Sequence, residues 1–477
     1  MSAASLPASP DGAGDLAADA VEALASGYLF GELARRVAFR TESQRADARP
    51  ELYRYLREEI GPTLERLGFT TAIHDNPLTD GPPFLTAERI EDPRLPTVLL
   101  YGHGDAVNGD AGTWTGDHEP FVLKDEGERW YGRGSADNKG QHTIGLVALE
   151  LVLRRNGRFG CNLRYLLEMG EELGSPGLRA FVAEKGALLA ADLLIASDGP
   201  RWRRDHPTIF LGARGHLQFQ LLSDLRTVNL HSGNWGGLAA NPGTLVAQAI
   251  AALVDARGLP AADPLLPRPM PSAMREHFRR IPSPDAVPGI AVEENWGPEG
   301  SHAERVLAAG GIEVLAYAAG DIGAPQSAIP PAASAVLAYN FTVDFDPTDA
   351  YRRIQEFLDR RGLGLVKVSP TNIPIMGATR TDPDLPIVAW ARDRLAAVTG
   401  VAVDLLPNMG GALPNDIFAE DLGLTTIWVP HSYSGSQQHG GDEHVLRSVM
   451  EQGLKGMTSL FGDLGSLSDR PGTPPPA

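Results

Sequence analysis

Apolar residues along this chain form short, nearly continuous runs, and polar residues and glycine follow each run. Runs without alternation are typical of strands buried on both faces, which belong to parallel or mixed sheets lying between layers of helices. The pattern therefore predicts an α/β fold with a mixed, largely parallel sheet flanked by helices. The runs lie at residues 99–101, 162–168, 193–197 and 425–429.

Other stretches repeat apolar residues with the spacing of an amphipathic helix. In residues 140–155 the positions i, i+3, i+4 and i+7 are all apolar, which places them on one face of a helix. Residues 21–39 and 50–68 show the same kind of spacing, so we expect three helices that pack on the sheet. The apolar positions of the first stretch are Ile144, Val147, Ala148 and Leu151.

The pattern changes after Asp198. Residues 211–222 and 335–343 alternate like half-exposed strands, and residues 347–361 read as a helix. This block predicts an inserted α+β domain over residues 207–372. Residues 21–206 and 373–465 then form the main domain. The ends, 1–20 and 466–477, are expected to be disordered because they are rich in Ala, Ser, Pro and Gly.

Imidazole and carboxylate side chains follow the predicted strands. Polar groups at the carboxyl ends of strands mark the edge at which open α/β sheets bind ligands. Nitrogen and carboxylate oxygen ligands suit a divalent ion such as zinc. The sequence therefore predicts one metal site at one sheet edge, with candidate residues His103, Asp105, Asp137, Glu171, Glu172, Asp198 and either His439 or His444.

The adjacent Glu171 and Glu172 allow a division of roles if they lie in a turn. One carboxylate can bind a metal, while the other takes a proton from water and passes it to a leaving amine. Two cations about 3.5–4 Å apart can share that water and hold the substrate carbonyl. The alternative is an exposed helix face, but Gly170 and the Gly-Ser-Pro-Gly of residues 174–177 favour a turn.

These motifs, in this order, resemble the superfamily of di-zinc exopeptidases and amidohydrolases that includes carnosinase, cytosolic non-specific dipeptidase, glutamate carboxypeptidase and aminoacylase. The dipeptidase branch is nearest in pattern, and the likeness covers about residues 25–460. The resemblance implies that His103 and Asp198 bind one metal and that Glu172 and His439 bind the other. It implies that Asp137 bridges the two ions, expected to be zinc, with manganese or cobalt as alternatives.

The resemblance also assigns the catalytic groups. Glu171 corresponds to the general base, and Asp105 corresponds to the carboxylate that orients the imidazole of His103. His444 is an alternative to His439 as ligand, but the spacing to the following glutamate favours His439. His142, one turn beyond Asp137, is expected to be a helix-face residue without a metal role.

In the inserted block, residues 229–237 resemble the lid and dimerisation domain of the dipeptidase branch. There the histidine, His231 here, reaches a substrate carbonyl, typically in the partner subunit, where it acts as an oxyanion donor. The resemblance implies a homodimer through the lid. Gly410 and Gly411 resemble a substrate-binding loop whose backbone amides could receive a carboxylate.

At one position, the sequence differs from the pattern of the dipeptidase branch. Relatives carry an arginine that grips the substrate carboxylate ten residues after an Ile-Pro pair, and this chain has Asn340 there. A neutral amide cannot form the charge-assisted pair. We therefore expect weak activity on free dipeptides and a substrate that is neutral or is held by Arg380 or Arg214.

The composition of the chain restricts the kinds of partner and the cellular compartment that we expect for it. The 477-residue chain has 60 acidic and 42 basic residues, a net charge of −18, which argues against nucleic acid and anionic membranes. Its one cysteine, Cys161, suits a reducing compartment, and no segment reads as a signal peptide or a membrane span. We therefore expect a cytoplasmic protein that acts on a small molecule.

The function predicted from the sequence is cleavage of a peptide or amide bond by a di-metal hydrolase. An N-acyl amino acid, another non-peptide amide or an aryl amine is the alternative substrate, because the same metal site could act on any of them. A non-catalytic binding homodimer on the same fold is less consistent with the sequence, because all five ligands and Glu171 are present.

Overall fold

The computed structural model describes residues 15–287 and 291–469. The strands, in chain order, are β1 (Thr70–His74), β2 (Phe84–Arg89), β3 (Thr97–His103), β4 (Lys124–Glu126), β5 (Arg129–Tyr131), β6 (Asn162–Glu168), β7 (Leu193–Ala196), β8 (Pro200–Arg201), β9 (Thr208–Phe210), β10 (Gly215–Asp224), β11 (Leu230–His231), β12 (Gly311–Ala319), β13 (Ala328–Ile329), β14 (Ala332–Phe341), β15 (Lys367–Pro370), β16 (Asp404–Leu406), β17 (Thr425–Trp428), β18 (Ser432–Tyr433) and β19 (His444–Leu446).

The α-helices, in chain order, are α1 (Leu16–Ala25), α2 (Tyr28–Val37), α3 (Arg49–Tyr55), α4 (Gly61–Arg66), α5 (Lys139–Asn156), α6 (Leu178–Lys185), α7 (Ser232–Trp235), α8 (Pro242–Leu253), α9 (Ser272–Arg280), α10 (His302–Val306), α11 (Ala350–Arg360), α12 (Pro386–Thr399) and α13 (Arg447–Gly462). Within the described residues, no helix is both long enough and apolar enough to cross a bilayer.

A central sheet forms the main body and runs in the order β1-β2-β6-β3-β7-β17-β9-β16. The pairs β6/β3, β3/β7, β7/β17 and β9/β16 are parallel, and the other three pairs are antiparallel. This mixed, mostly parallel sheet between helices confirms the predicted fold class.

Successive residues of β3 belong to different cores, which explains the continuous apolar runs. Val98 and Leu100 pack with α5 and α13 on one side, whereas Leu99 and Tyr101 pack with α6 on the other side. Because neighbouring side chains of a strand point to opposite faces, a strand covered on both faces must be apolar throughout. These two layers bring the polar ends of the strands to one edge.

A separate antiparallel sheet, β12-β14-β10-β15, falls within residues 207–372. One face of β10 packs Leu217, Phe219 and Leu221 against α8 and α11, and the other face carries the half-buried His216 and Gln220. The strand β9 also falls within residues 207–372 but belongs to the central sheet, so the chain leaves that sheet only after Phe210.

The chain crosses between the two sheets twice, and the two crossings are hydrogen-bonded to each other. Thr381 N donates to Leu211 O at 2.8 Å, Thr379 N donates to Ala213 O at 2.9 Å, and His216 N donates to Met376 O at 2.9 Å. The crossings therefore form a two-stranded ribbon.

The helices differ from the sequence prediction at their breaks and ends. The predicted helix 21–39 is two helices that meet at Gly27, whose φ of 77° is one that glycine tolerates well. Residues 50–68 contain a π-helical turn, Leu56–Ile60, between α3 and α4. The helix predicted at 347–361 is α11.

The expected disorder of the N-terminal segment is wrong for its last residues. The helix α1 begins at Leu16 because the Asp15 side chain accepts the N–H of Ala17 at 3.0 Å and caps it. Residues 1–14 lie outside the described part of the chain. In the C-terminal segment, residues up to Asp469 belong to a short helical stretch, Leu464–Asp469, and the rest lies outside the described residues.

Candidate metal centre

Three of the candidate ligands lie at or just after the ends of central strands, a fourth lies just before a helix that packs on the sheet, and the fifth lies in a loop outside the sheet. His103 is the last residue of β3, and Asp198 follows β7 by two residues. Glu172 lies in a short 3₁₀ turn, Glu171–Leu173, just after β6. Asp137 immediately precedes the N-terminus of α5, and His439 lies in the loop between β18 and β19.

These side chains meet in two groups that share one carboxylate. His103, Asp137 and Asp198 form one group, and Asp137, Glu172 and His439 form the other; in each group the possible ligand atoms lie within 4.8 Å of one another. Asp137 Oδ1 lies 3.1 Å from His103 Nε2, and Asp137 Oδ2 lies 3.2 Å from His439 Nε2. The two oxygens of Asp137 thus face different groups.

The remaining carboxylates complete the two groups. Asp198 Oδ2 lies 3.5 Å from His103 Nε2, and Glu172 Oε2 lies 3.1 Å from His439 Nε2. Asp198 Oδ2 and Glu172 Oε1 are buried and have no hydrogen-bond partner. Buried carboxylate oxygens without partners are costly unless a cation neutralises them, so the donor set fits divalent metal ions.

The protonation of these carboxylates reflects crowded negative charge. Burial, reinforced by Asp137, raises the pKa of Glu172 to about 7 and that of Asp198 to about 6. Burial also disfavours the ionised form of Asp137, but hydrogen bonds with His103 and His439 outweigh it and hold the pKa of Asp137 below its usual range. Three carboxylates this close require positive charge, which two imidazoles supply only when protonated.

Asp105 connects the first histidine to the glutamate turn. Its Oδ1 lies 3.3 Å from His103 Nδ1, and its two oxygens accept the backbone N–H groups of Glu171 and Glu172 at 3.2 Å each. The side chain of Asp105 is fully buried. It therefore fixes the ring of His103 and holds the turn that carries both glutamates.

Glu171 lies beside the metal groups and belongs to neither of them. Its Oε2 is 4.0 Å from His103 Nε2. Burial, together with Asp198 and Glu172, raises the pKa of Glu171 well above its ordinary value, against the opposing effect of His103. A carboxylate in this position can accept a proton and hold it.

Other candidates lie apart from these groups. His231 is exposed in the inserted segment, where its Nδ1 accepts the N–H of Gly233 at 3.2 Å. Arg380 lies 3.8 Å from Asp344 and stacks over Phe278, and no contact joins it to the metal groups among the described residues. His444 bonds to the Tyr433 hydroxyl and His142 bonds to the Tyr55 hydroxyl, and neither histidine belongs to the two groups of possible ligands.

The substrate-loop candidates lie where the inserted segment meets the main body. Gly410 O accepts Arg214 Nε at 2.6 Å, and Gly411 follows in the same loop. Asn340 Oδ1 accepts a hydrogen bond from His216 Nδ1 at 2.9 Å across β14 and β10. The sequence singled out Asn340 alone, whereas the structure shows that it is bonded to His216.

The sequence reasoning missed three polar residues around the site. Gln438 Nε2 donates to Asp137 Oδ2 at 3.3 Å, and Asn138 Nδ2 donates to Ser197 O at 2.8 Å, next to Asp198. Glu443 accepts hydrogen bonds from the segment that carries Asp137. Each of these residues stands within four positions of a candidate ligand, and that proximity was the available signal.

A third group of possible ligands contains two exposed carboxylates, Asp117 and Glu126, and the partly buried His118. Lys124 forms ion pairs with both of its carboxylates, and His118 also bonds to Asp442 at 2.9 Å. The lysine already supplies the positive charge there, so this group does not resemble the buried pair of groups described above.

Imidazoles and carboxylates gathered near the carboxyl edge of a mixed α/β sheet, with a further carboxylate beside them, form a candidate site for a metal-dependent hydrolase. The chain belongs to Peptidase family M20/M25/M40, whose model matches residues 99–462. This confirms the resemblance found in the sequence, and the protein is a metallopeptidase.

Relatives of known activity are dipeptidases. The chain is 27% identical over 356 residues to a cysteinylglycine-S-conjugate dipeptidase of Corynebacterium striatum, covering 74% of this chain and 76% of that protein. It is 33% identical over 221 residues to the human Beta-Ala-His dipeptidase, covering 44% and 43% of the two chains.

Solved structures share the whole fold at low identity. An M20 family metallo-carboxypeptidase from Sulfolobus solfataricus superposes with a TM-score of 0.81 at 23% identity, over 92% of this chain and 99% of that one. Human carnosine dipeptidase 1 superposes with a TM-score of 0.76 at 21% identity, over 95% and 99%. At these identities the likeness establishes the fold alone.

Proposed function

We propose that this protein is a di-metal, dipeptidase-like hydrolase that cleaves a peptide or amide bond of a small substrate. The observation that carries the proposal is Asp137, whose two oxygens lie 3.1 Å from His103 and 3.2 Å from His439. A carboxylate placed between two ligand groups can bind one ion with each oxygen. His103 and Asp198 would then hold one metal, and Glu172 and His439 the other.

The metals are proposed to be zinc, with manganese or cobalt as alternatives that fit the same donors. When bound, such ions lower the pKa of water and polarise a carbonyl. Asp105 would keep the ring of His103 in place, because its carboxylate faces Nδ1 and leaves Nε2 turned towards Asp137 and Asp198.

Glu171 is proposed as the general base and acid. It would take a proton from the attacking water as the new C–O bond forms at the carbonyl carbon. It would then give that proton to the nitrogen as the C–N bond breaks, so that an amine and a carboxylic acid leave. Its buried position, with a raised pKa, supports a group that holds a proton between the two steps.

We further propose that residues 207–372 act as a lid and that the protein is a homodimer through this region. Since His231 is exposed and bonds only locally, it is available to a partner's site. The same region exposes large apolar side chains, and β12 is an edge strand with one unpaired side among the described residues. These side chains are Trp235, Leu238, Val314, Leu315 and Tyr317.

The pair His216–Asn340 favours a substrate with a neutral end. Because His216 Nδ1 donates to Asn340 Oδ1, this position carries an amide bonded to an imidazole and lacks the guanidinium that the dipeptidase branch places there. We therefore keep two substrate classes: a free dipeptide, as for the relatives, and a neutral or N-acylated amide. A cytoplasmic location fits the acidic charge and the single, buried Cys161.

A metal and substrate screen tests this function. The purified protein is stripped with a chelator and reconstituted with Zn²⁺, Mn²⁺ or Co²⁺. Metal content is then measured together with hydrolysis of dipeptides, N-acyl amino acids and aryl amides. We expect two ions per chain and hydrolysis that depends on the metal. Binding of no more than one ion, or no hydrolysis by any reconstituted form, would overturn the proposal.

A further inference from the structure

Glu443 is a buried carboxylate outside both ligand groups, and it is held by four donors. Its side chain is about 1% exposed. Oε1 accepts the backbone N–H of Ala136 at 2.8 Å and that of Asp137 at 3.0 Å. Oε2 accepts the backbone N–H of Gly134 at 2.9 Å and a guanidinium N–H of Arg133 at 2.8 Å. Every donor comes from one short segment, residues 133–137.

That segment and the loop of Glu443 each carry a candidate ligand. Residues 133–137 end at Asp137, and Glu443 follows His439 by four residues. Arg133 makes a second connection, because its Nη2 donates to Gly440 O, the carbonyl next to His439, at 2.8 Å. Two segments far apart in sequence are therefore joined at two points, Glu443 and Gly440, close to their candidate ligands.

Glu443 and Arg133 form a buried ion pair in which the two opposite charges compensate each other. Burial raises the pKa of Glu443, while the Arg133 guanidinium and the backbone N–H groups favour the ionised form. Arg133 is itself about 1% exposed, so neither charge is screened by water. A buried ion pair with all of these hydrogen bonds holds its partners in one geometry, because any displacement leaves buried polar groups unpaired.

A second buried carboxylate, Asp404, allows an effect on the metal site to be distinguished from a general effect on the stability of the fold. Asp404 is 2% exposed and accepts two hydrogen bonds from Arg203, at 2.6 and 2.9 Å. Within the described residues, neither Asp404 nor Arg203 forms a hydrogen bond or ion pair with a candidate ligand or with the backbone beside one. Asp404 therefore offers a control carboxylate that is similarly buried and is also bonded to a guanidinium, although Arg203 is 24% exposed.

We propose that Glu443 is a positioning residue that sets the distance between Asp137 and His439, and thereby the metal affinity of the group they form with Glu172. This inference rests on the proposed function, because it takes these three residues as ligands. Glu443 acts through the backbone of Asp137 and through Arg133, and it touches neither the substrate nor a metal.

The test replaces Glu443 with glutamine in the full-length, metal-loaded protein. The carboxamide keeps the size of the side chain, but its NH₂ end faces N–H donors that have lost their acceptor. We expect the dissociation constant for Zn²⁺, measured by chelator competition, to rise about 10- to 100-fold, the usual range for outer groups of a metal site. We also expect the visible spectrum of the Co²⁺-loaded variant to change, because it reports ligand geometry.

Asp404→Asn is the matched control, and we expect it to lower Tm while metal affinity and the Co²⁺ spectrum stay as in the wild type. Arg133→Lys is the second variant if Glu443→Gln does not fold. It keeps the charge but loses the fork that reaches both Glu443 and Gly440, so we expect a smaller loss of affinity in the same direction.

The outcomes distinguish this inference from the function on which it rests. Wild-type affinity and spectrum in the folded Glu443→Gln or Arg133→Lys variant would overturn the positioning role alone. An equal loss of affinity in Asp404→Asn would also overturn it, because the effect would then follow general stability. A wild-type protein that binds no metal would overturn the proposed function first.

Discussion

Asp105 accepts the backbone N–H of Glu171 at 3.2 Å, and the same carboxylate lies 3.3 Å from His103 Nδ1. One buried side chain therefore couples the position of a candidate ligand to that of the candidate base. The hydrogen bond holds the backbone of Glu171 in place, and the Oε2 of Glu171 lies 4.0 Å from His103 Nε2.

Glu171→Gln should lower kcat by about 10²- to 10⁴-fold, because a carboxamide cannot take a proton from water. Metal content should stay at the wild-type value, since Glu171 belongs to neither ligand group. Steady-state kinetics and elemental analysis check both statements. Glu184→Gln, an exposed change on α6, is the control and should leave both unchanged. A Glu171→Gln variant with near-normal kcat would refute the assignment.

Asp137→Ala should remove metal from both groups, because Asp137 is the residue that they share. Metal per chain should fall and hydrolysis should be lost. Asp198→Ala, which affects one group, should retain metal in the other. Elemental analysis after dialysis measures the difference, and two tightly held ions in Asp137→Ala would exclude a bridging role.

If His231 completes the site of a partner subunit, two inactive variants should rescue each other. Glu171→Gln lacks the base and His231→Ala lacks the donor, so a mixed dimer contains one site with both residues. We expect up to about half of the dimer's sites to be restored in such a dimer, by the arithmetic of one intact site in two. Activity after subunit exchange, verified by tagged chains, gives the answer. Exchange without any rescue would place His231 outside the partner's site.

Asn340→Arg should lower KM for dipeptides with a free carboxylate, because arginine can form a bidentate, charge-assisted pair. A gain of about 10-fold corresponds to roughly 1.4 kcal/mol, close to the lower end of the range of about 1.5–3 kcal/mol for hydrogen bonds to charged groups. Gln220→Arg adds the same charge on the neighbouring strand β10, on the same face of the sheet as Asn340, and should have no such effect. Efficient cleavage of many free dipeptides by the wild type would contradict the neutral-end hypothesis.

The buried Glu168 predicts a pH dependence of stability. Burial raises its pKa from 4.5 to about 7, while Tyr101 donates to its Oε1 at 2.7 Å. The folded state therefore binds this proton more tightly than the unfolded state, and the free energy of unfolding falls as the pH rises from about 4.5 to 7. The loss, at most about 3 kcal/mol, is complete above pH 7.

Glu168→Gln keeps an acceptor for Tyr101 but cannot ionise. The difference in Tm between the variant and the wild type should therefore increase from pH 5 to pH 8. Both proteins are measured in the metal-loaded form. Glu88→Gln, whose carboxylate is about half exposed, is the control and should follow the wild type. Parallel Tm curves for wild type and Glu168→Gln would show that Glu168 does not titrate in this window.

The sequence was sufficient for the features that depend on local pattern. Buried strands read as continuous apolar runs because both faces are covered, and the polar residues that follow them, such as His103 and Asp198, meet because parallel strands end at one edge. The family motif supplied the remaining ligands. The turn at Glu171 followed from its flanking glycines.

Features that depend on packing or register were not predictable in the same way. The pairing of His216 with Asn340 depends on the register between β10 and β14, which no local pattern encodes. The break at Gly27 and the π turn after Tyr55 depend on how those helices pack around the core. Glu443 is the glutamate that follows His439 in the sequence, but its four hydrogen-bond donors become visible only when residues 133–137 are seen beside it.

The ribbon formed by the two crossings has an evolutionary consequence. Leu211 and Thr381 are hydrogen-bonded neighbours although some 170 residues separate them. A chain that leaves and re-enters a domain at one point can gain or lose everything in between as a single genetic event, with no strand of the main sheet displaced. The central sheet and its metal-binding edge could thus have served an ancestor whose polypeptide turned directly at this point.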